Sequence, residues 1–142
     1  MEIRKAGHSD LSDMVSLMNH LGYPTTLKNM EERWSKMNSH PDYSTFVAIV
    51  DGKAIGMIGL QKGLLYESDG EYVRILVLIV DLSYRKNGVG KNLLAFAEKW
   101  AKGEGASSMA VNSGNRKERI PSHQFYLNKG YTKKSIGFIK RF

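Results

Sequence analysis

Cysteine is absent from this 142-residue chain. Disulfides, thiolate zinc sites and cysteine nucleophiles are therefore excluded. Long hydrophobic runs are absent as well: no apolar stretch approaches the ~20 residues of a membrane-spanning helix. The opening residues, Met-Glu-Ile-Arg-Lys-Ala-Gly-His, lack the apolar region of a signal peptide. A cytoplasmic location and no membrane partner are the expectation. Repeats, low-complexity tracts and linker-like composition shifts are missing, so residues 1–142 are expected to form a single domain. His8, His20 and His40 show no ligand-like spacing, and no metal site is expected. Acidic residues are the minority, 14 against 21 Lys plus Arg, for a net charge of +7. A positive field favours anionic partners. The basic residues are nevertheless spread along the chain, and neither a helix-turn-helix nor a basic face interleaved with exposed aromatics is visible, so no nucleic-acid partner is expected.

What is present is a 42% hydrophobic fraction, enough for a core, and a clear sequence of elements. Glu2 to Ala6 reads as a short strand. Ser9 or Asp10 caps a helix with Leu11, Met14, Val15, Met18 and Leu21 at helical spacing. Thr25 or Thr26 caps a second helix, with Leu27, Met30, Trp34 and Met37 on one stripe. Thr45 to Val50 and Lys53 to Gln61 are strands joined by Asp51-Gly52, a strong hairpin signal. Gly56 and Gly59 in the returning strand predict a bend or a close backbone approach. After a loop over 62–70, the near-continuous apolar run within Glu71 to Asp81 predicts a central strand covered on both faces. A helix with Val89, Leu93, Leu94, Ala97, Trp100 and Ala101 on one side follows, and then a strand over Ser108 to Asn112. A strand, helix, strand unit of this length implies a right-handed crossover and a parallel pair. Ser113 to Ile120 is a polar loop, Ser122 to Lys129 a helix, and residues 131–135 and 136–142 read as two last strands. The fold class is α/β, with one mixed sheet and helices on both faces.

The chain is organised around residues 73–102, where an apolar strand runs into Arg85-Lys86-Asn87-Gly88-Val89-Gly90-Lys91 and then into a helix. A helix N-terminus offers backbone N–H groups without intrahelical partners and the positive end of the dipole. Arg85, Lys86 and Lys91 bracket the glycines, and consecutive amides from Asn87 to Lys91 can converge on phosphate oxygens. Two familiar glycine motifs fail on residues. The dinucleotide fingerprint needs glycine where Leu93 stands. The P-loop needs Ser or Thr where Asn92 stands and glycine where Arg85 stands. A phosphate-binding loop of another kind is the reading.

Arg85-Lys86-Asn87-Gly88-Val89-Gly90 resembles the Arg/Gln-x-x-Gly-x-Gly/Ala signature of the GNAT superfamily of N-acetyltransferases. Phe125-Tyr126-Leu127-Asn128-Lys129-Gly130-Tyr131 resembles that family's Phe-Tyr-x-x-x-Gly-Phe pattern, with Tyr131 in place of Phe. The order of elements matches across essentially the whole chain. The resemblance implies an acyl-CoA N-acyltransferase fold: a mixed, mostly antiparallel sheet whose central parallel strands, 71–81 and 108–112, splay apart. It implies acetyl-CoA as co-substrate, with Leu78, Ile79 and Val80 along the pantetheine arm. Arg85, Lys86, Asn87, Gly88, Val89, Gly90 and Lys91 would take the pyrophosphate, and Asn112 and Asn115 would make polar contacts to the arm. The acceptor is a primary amine, with a small molecule favoured.

By the same resemblance Tyr126 is the general acid for the departing thiolate; a phenol, with its pKa near ~10, is protonated at neutral pH. Many family members place a Glu on the signature strand. Here Arg74, Leu76 and Val77 stand there, and Glu71, at the strand's start, is the nearest carboxylate and the candidate base. Glu67 and Asp69 are further candidates for attracting a cationic amine, and a water chain is an alternative base. The first two helices, the loop from Gly22 to Thr26 and the 62–70 loop are expected to shape the acceptor site. The edges of the last strands are expected to support a homodimer. Two other readings stay open: a non-catalytic acyl-CoA sensor and a basic nucleic-acid-binding module.

Overall fold

Asp51 and Gly52 take φ values of 49° and 76°, the pair of left-handed conformations that a two-residue hairpin turn requires. They fold Tyr43–Val50 (β2) back against Lys53–Leu64 (β3). In this computed structural model, residues 1–113 and 119–142 are described, and they fall into two compact units, Met1–Ala110 and Val111–Phe142. In the first unit, Glu2–Lys5 (β1), β2, β3 and Glu71–Val80 (β4) pair antiparallel in that order. Ala106–Val111 (β5) completes a five-stranded mixed sheet beside β4. Leu11–Leu21 (α1), Leu27–Asn38 (α2) and Val89–Gly103 (α3) cover the sheet.

The two faces have separate cores. Leu11, Met14 and Leu17 of α1 and Met30 of α2 pack with Val47, Met57 and Ile79 on one side. On the other, Phe46 meets Phe96 and Trp100 of α3 edge to face, with ring centroids 4.9 and 5.7 Å apart. Gly56 lets α3 approach: a Cβ there would stand 3.0 Å from Leu93 Cδ1, 3.1 Å from Val89 Cγ1 and 3.3 Å from the Ile79 carbonyl. Asp13 Oδ2 ties α1 to the sheet by accepting from Ala54 N–H at 2.9 Å. Thr26 Oγ1 caps α2, accepting from Asn29 N–H at 3.1 Å. Asp10 stands at the start of α1 but does not cap it; its carboxylate instead accepts from the Arg4 guanidinium at 2.7 and 3.0 Å and from Gly7 N–H at 2.7 Å.

Two departures from the sequence reading concern β4. The expected bend at Gly59 is a bulge whose extra residue lies on the opposite strand: Gly59 pairs with Val77 and Leu60 with Ile75, leaving Leu76 between them. The bulge reverses the alternation of faces. Val77 and Ile79 pack on the α1/α2 side, while Val80, opposite Gly56, lies on the α3 side. The strand is also less covered than its apolar run predicts. Leu76 is 41% exposed, and Val77, Leu78 and Val80 are half-buried. Side chains of a central strand stay open where the neighbouring strand does not close on them. β4 pairs with β3 along its whole length, and beside β5 Ser107 Oγ donates to the Glu71 carbonyl at 3.1 Å, joining the two strands at their starts.

In the second unit Ile120–Asn128 (α4) carries Pro121 in its first turn. Gly130, at φ +89°, ends the helix by donating to the Leu127 carbonyl at 3.1 Å. Residues 131–142 form no strand, contrary to the expectation of two. Alternating side chains suit a strand, but backbone pairing makes one, and the described remainder of this unit offers no strand to pair with. Ile136, Phe138, Ile139 and Phe142 are exposed instead. The edges on which a homodimer was expected are therefore missing from residues 131–142. No helix among the described residues is long and apolar enough to cross a membrane.

Candidate functional site

The turn between β4 and α3 is built to leave its amides open. Asp81 Oδ1 accepts from Ser83 N–H at 2.8 Å and starts a single 3-10 turn over Leu82–Tyr84. Lys86 (φ 68°) and Gly88 (φ 80°) then take left-handed conformations. Gly88 directly precedes α3, and the first helical bond is from Asn92 N–H to the Gly88 carbonyl at 3.0 Å. Among the described residues, no acceptor takes a hydrogen bond from the backbone N–H groups of Lys86 through Lys91. Alternating left-handed residues turn successive amides inward into an anion-binding concavity, and the α3 dipole adds to its positive field. The exposed side chains of Arg85, Lys86 and Lys91 stand around it. The arrangement fits a doubly charged phosphate group.

The strand leading into this loop presents its backbone groups alternately to its two edges. Asp81 N–H donates to the Ile55 carbonyl at 2.8 Å, which sets the phase of the β3–β4 ladder. Backbone groups alternate between edges along a strand. Ile79 therefore turns its N–H and C=O toward β3, and Leu78 and Val80 turn theirs toward β5. Arg85 Nε donates to the Val80 carbonyl at 3.4 Å from outside the ladder, as that phase requires. Ile79, 2% exposed, is a core residue on the α1/α2 side; it holds the strand.

The other expected site residues are dispersed. Glu71 is exposed at the first position of β4, about 30 Å along the strand from Val80. Glu67 and Asp69 are exposed in the loop before it. Asn112 is exposed, and Asn115 lies outside the described residues. Tyr126 sits on α4 in the second unit, its ring against Phe125 at 5.3 Å and Tyr131 at 5.6 Å. Burial pushes its phenol up to about 12, against the opposing pull of Arg119; it stays protonated throughout the neutral range. Among the described residues no group of three or more His, Asp or Glu is placed to hold a metal ion. Two shielded polar atoms flank the expected acceptor loop: His20 Nδ1 and Thr25 Oγ1 have no hydrogen-bond partner.

A feature that the residue pattern did not reveal is the pairing of Tyr72 with Arg74. The Arg74 guanidinium lies 5.9 Å over the Tyr72 ring, with Nη2 3.5 Å from its hydroxyl. The ring lies across Gly63, where a Cβ would stand 2.8 Å from it.

The chain as a whole is similar to known proteins. A family model described as the acetyltransferase (GNAT) family matches residues 11–131. Aminoalkylphosphonate N-acetyltransferase of Salmonella typhimurium is 31% identical over 100 residues, covering 70% of this chain and 64% of that protein, a little under two thirds of its length. The crystal structure of a GNAT family acetyltransferase from Staphylococcus aureus is 33% identical with a TM-score of 0.86, covering 99% of this chain and 98% of that one. An aminoglycoside N-acetyltransferase solved in complex with CoA shares the fold at 21% identity and a TM-score of 0.85, covering 99% of this chain and 93% of that one. The chain belongs to the acetyltransferase (GNAT) family.

Proposed function

We propose that this protein transfers an acetyl group from acetyl-CoA to the primary amine of a small molecule. The observation that carries this reading is the loop from Lys86 to Lys91, whose N–H groups donate to no turn or cap acceptor, directly after the strand β4. The activity of the aminoalkylphosphonate N-acetyltransferase relative and the CoA bound by the aminoglycoside N-acetyltransferase neighbour support the same donor and acceptor classes.

In this reading the loop amides and Arg85, Lys86 and Lys91 hold the pyrophosphate of CoA. The backbone of Leu78 and Val80 receives the pantetheine amides as an added strand would, which aligns the arm along β4 toward Leu76. When bound, acetyl-CoA supplies an activated carbonyl for attack by the amine. A backbone N–H at the Leu78–Val80 edge takes the oxyanion charge that develops there. The chain fixes the orientation of the reactants, and proximity supplies much of the rate. Tyr126 is the proposed proton donor to the leaving thiolate, and its raised pKa keeps that proton available. The base is Glu71 or a chain of water molecules, since Arg74, Leu76 and Val77 occupy the middle of β4.

Acetyl-CoA, CoA and longer acyl-CoAs are titrated while thermal unfolding is followed, and CoA release is then screened over primary amines. At a hundredfold excess over Kd, stabilisation of about 2.7 kcal/mol is expected; no stabilisation by any CoA species sinks the reading. Tyr126→Phe is expected to lower turnover ~100-fold with CoA affinity unchanged, and unchanged turnover removes the acid role. One observation favours a second reading: no carboxylate occupies the middle of β4. A non-catalytic acyl-CoA sensor would bind acetyl-CoA and release no CoA with any amine.

A further inference from the structure

Arg74 is the residue of β4 that the loop, the strand edge and the core leave unexplained. It is half-buried, and its guanidinium meets the Tyr72 ring and hydroxyl. Among the described residues no carboxylate pairs with it. A guanidinium drawn partly out of water without a counter-charge is costly, and one held in a fixed pose is pre-organised to receive a planar or tetrahedral oxyanion through its fork of N–H donors.

Its position follows from the register. Arg74 pairs with Gln61 and Tyr72 with Gly63. Gln61 and Gly63 alternate with Met57 and Gly59 on the same face of β3, and Met57 belongs to the α1/α2 core. Arg74 and Tyr72 therefore face the side on which α1 and α2 pack. Along β4, Arg74 lies two residues beyond the Leu76 bulge, about 7 Å, on the far side of it from Leu78 and Val80. The proposed pantetheine arm runs from the loop past Val80 and Leu78 toward Leu76. An amine attacking the end of that arm thus has Arg74 behind it. The pose of the guanidinium is supported from beneath. Gly63 leaves room for the Tyr72 ring, the ring carries Arg74, and the neutral Gln61 opposite does not compete for its charge.

We propose that Arg74, held over Tyr72, binds an anionic group of the acceptor, so that the preferred substrate is a short primary amine bearing a phosphonate, phosphate or carboxylate a few bonds from its nitrogen. The inference rests on the acetyltransferase reading above and adds the substrate class to it. The same cation disfavours polycationic acceptors. It also lowers the pKa of an ammonium bound beside it, which favours the free amine and eases the demand for a base.

The test uses a matched set of primary amines of equal length ending in a phosphonate, a carboxylate, a methyl group or a second amine. Wild-type protein, Arg74→Lys, Arg74→Met and Tyr72→Phe are compared by CoA release, and acetyl-CoA binding is measured separately by thermal shift. The oxyanion-bearing amines are expected to give kcat/KM at least ~30-fold above the methyl-ended amine, about 2 kcal/mol of binding, with the diamine poorest. The phosphonate and carboxylate arms decide between the two oxyanions. Arg74→Met is expected to remove the preference through KM while acetyl-CoA binding is unchanged, and Arg74→Lys to restore part of it. The proposal is overturned if wild-type protein acetylates the methyl-ended amine or the diamine as well as the anionic ones. It is also overturned if Arg74→Met leaves the preference intact. In both cases acetyl-CoA binding and transfer to some amine still stand, which separates this failure from failure of the acetyltransferase reading itself.

Discussion

Asp10 is the buried charge among the described residues, 4% exposed, and it shows how one side chain acts beyond its sequence role. Its position before α1 marks it as a helix cap, but its carboxylate joins β1 to the start of α1 through Arg4 and the Gly7 amide. The hydrogen bond from Arg4 holds its carboxyl below the usual range, burial opposes that shift, and the Gly7 amide reinforces it. Because the native state gives up the proton more readily than the unfolded chain, the contribution is complete above the unfolded value of about 3.9. It is lost as pH falls through the lower native value. Asp10→Ala is expected to destabilise the fold by about 2 kcal/mol at neutral pH, read from urea midpoints, and the gap should narrow as pH falls below the unfolded value and the wild-type carboxyl protonates. A gap that persists unchanged in acid removes the ion-pair account. The turn into α3 was only partly readable: Gly88 is left-handed, as a glycine before a helix suggests, but so is Lys86, at φ 68°.

At the scale of elements, α3 is held at its working depth by Gly56. The glycine was visible in the sequence as a break in a strand, and the expected close approach is the contact with Val89 and Leu93. Gly56→Ala is expected to cost about 1–3 kcal/mol by overpacking. Because Val89 opens α3, the shift should also move the loop amides and weaken CoA binding roughly tenfold. Gly103→Ala at the other end of α3, where a Cβ meets nothing within 4 Å, serves as control and should be neutral or stabilising by up to ~1 kcal/mol. Equal loss of CoA affinity in both variants, by isothermal titration, removes the link between Gly56 and the loop. The bulge at Leu76 was not readable in this way. Glycine at position 59 announced an irregularity, but which strand carries the extra residue depends on how β3 and β4 pair. That choice decides that Val77 and Ile79 enter one core while Leu78 and Val80 stay at the opening.

For the molecule as a whole, the net charge of +7 is spread along the chain. Association with CoA, an anion, should be steered by this field. The association rate is expected to fall at least ~3-fold between low salt and about 0.5 M NaCl, where the Debye length drops below ~5 Å, while dissociation changes less. An association rate independent of salt, by stopped flow, removes the steering. By itself the sequence determined the helices with their apolar stripes, the Asp51-Gly52 turn, the strand, loop, helix order and the chemistry of the anion loop. Each of these is set by conformational preferences and spacing within a few neighbouring residues. Only the tertiary structure decided that residues 131–142 form no strand, that Leu78 and Val80 present their backbone to the β5 side, and that Arg74 rests on Tyr72 over Gly63. Those features arise from pairing between residues distant in the chain, where each partner's pattern is compatible with several registers and only contact selects one.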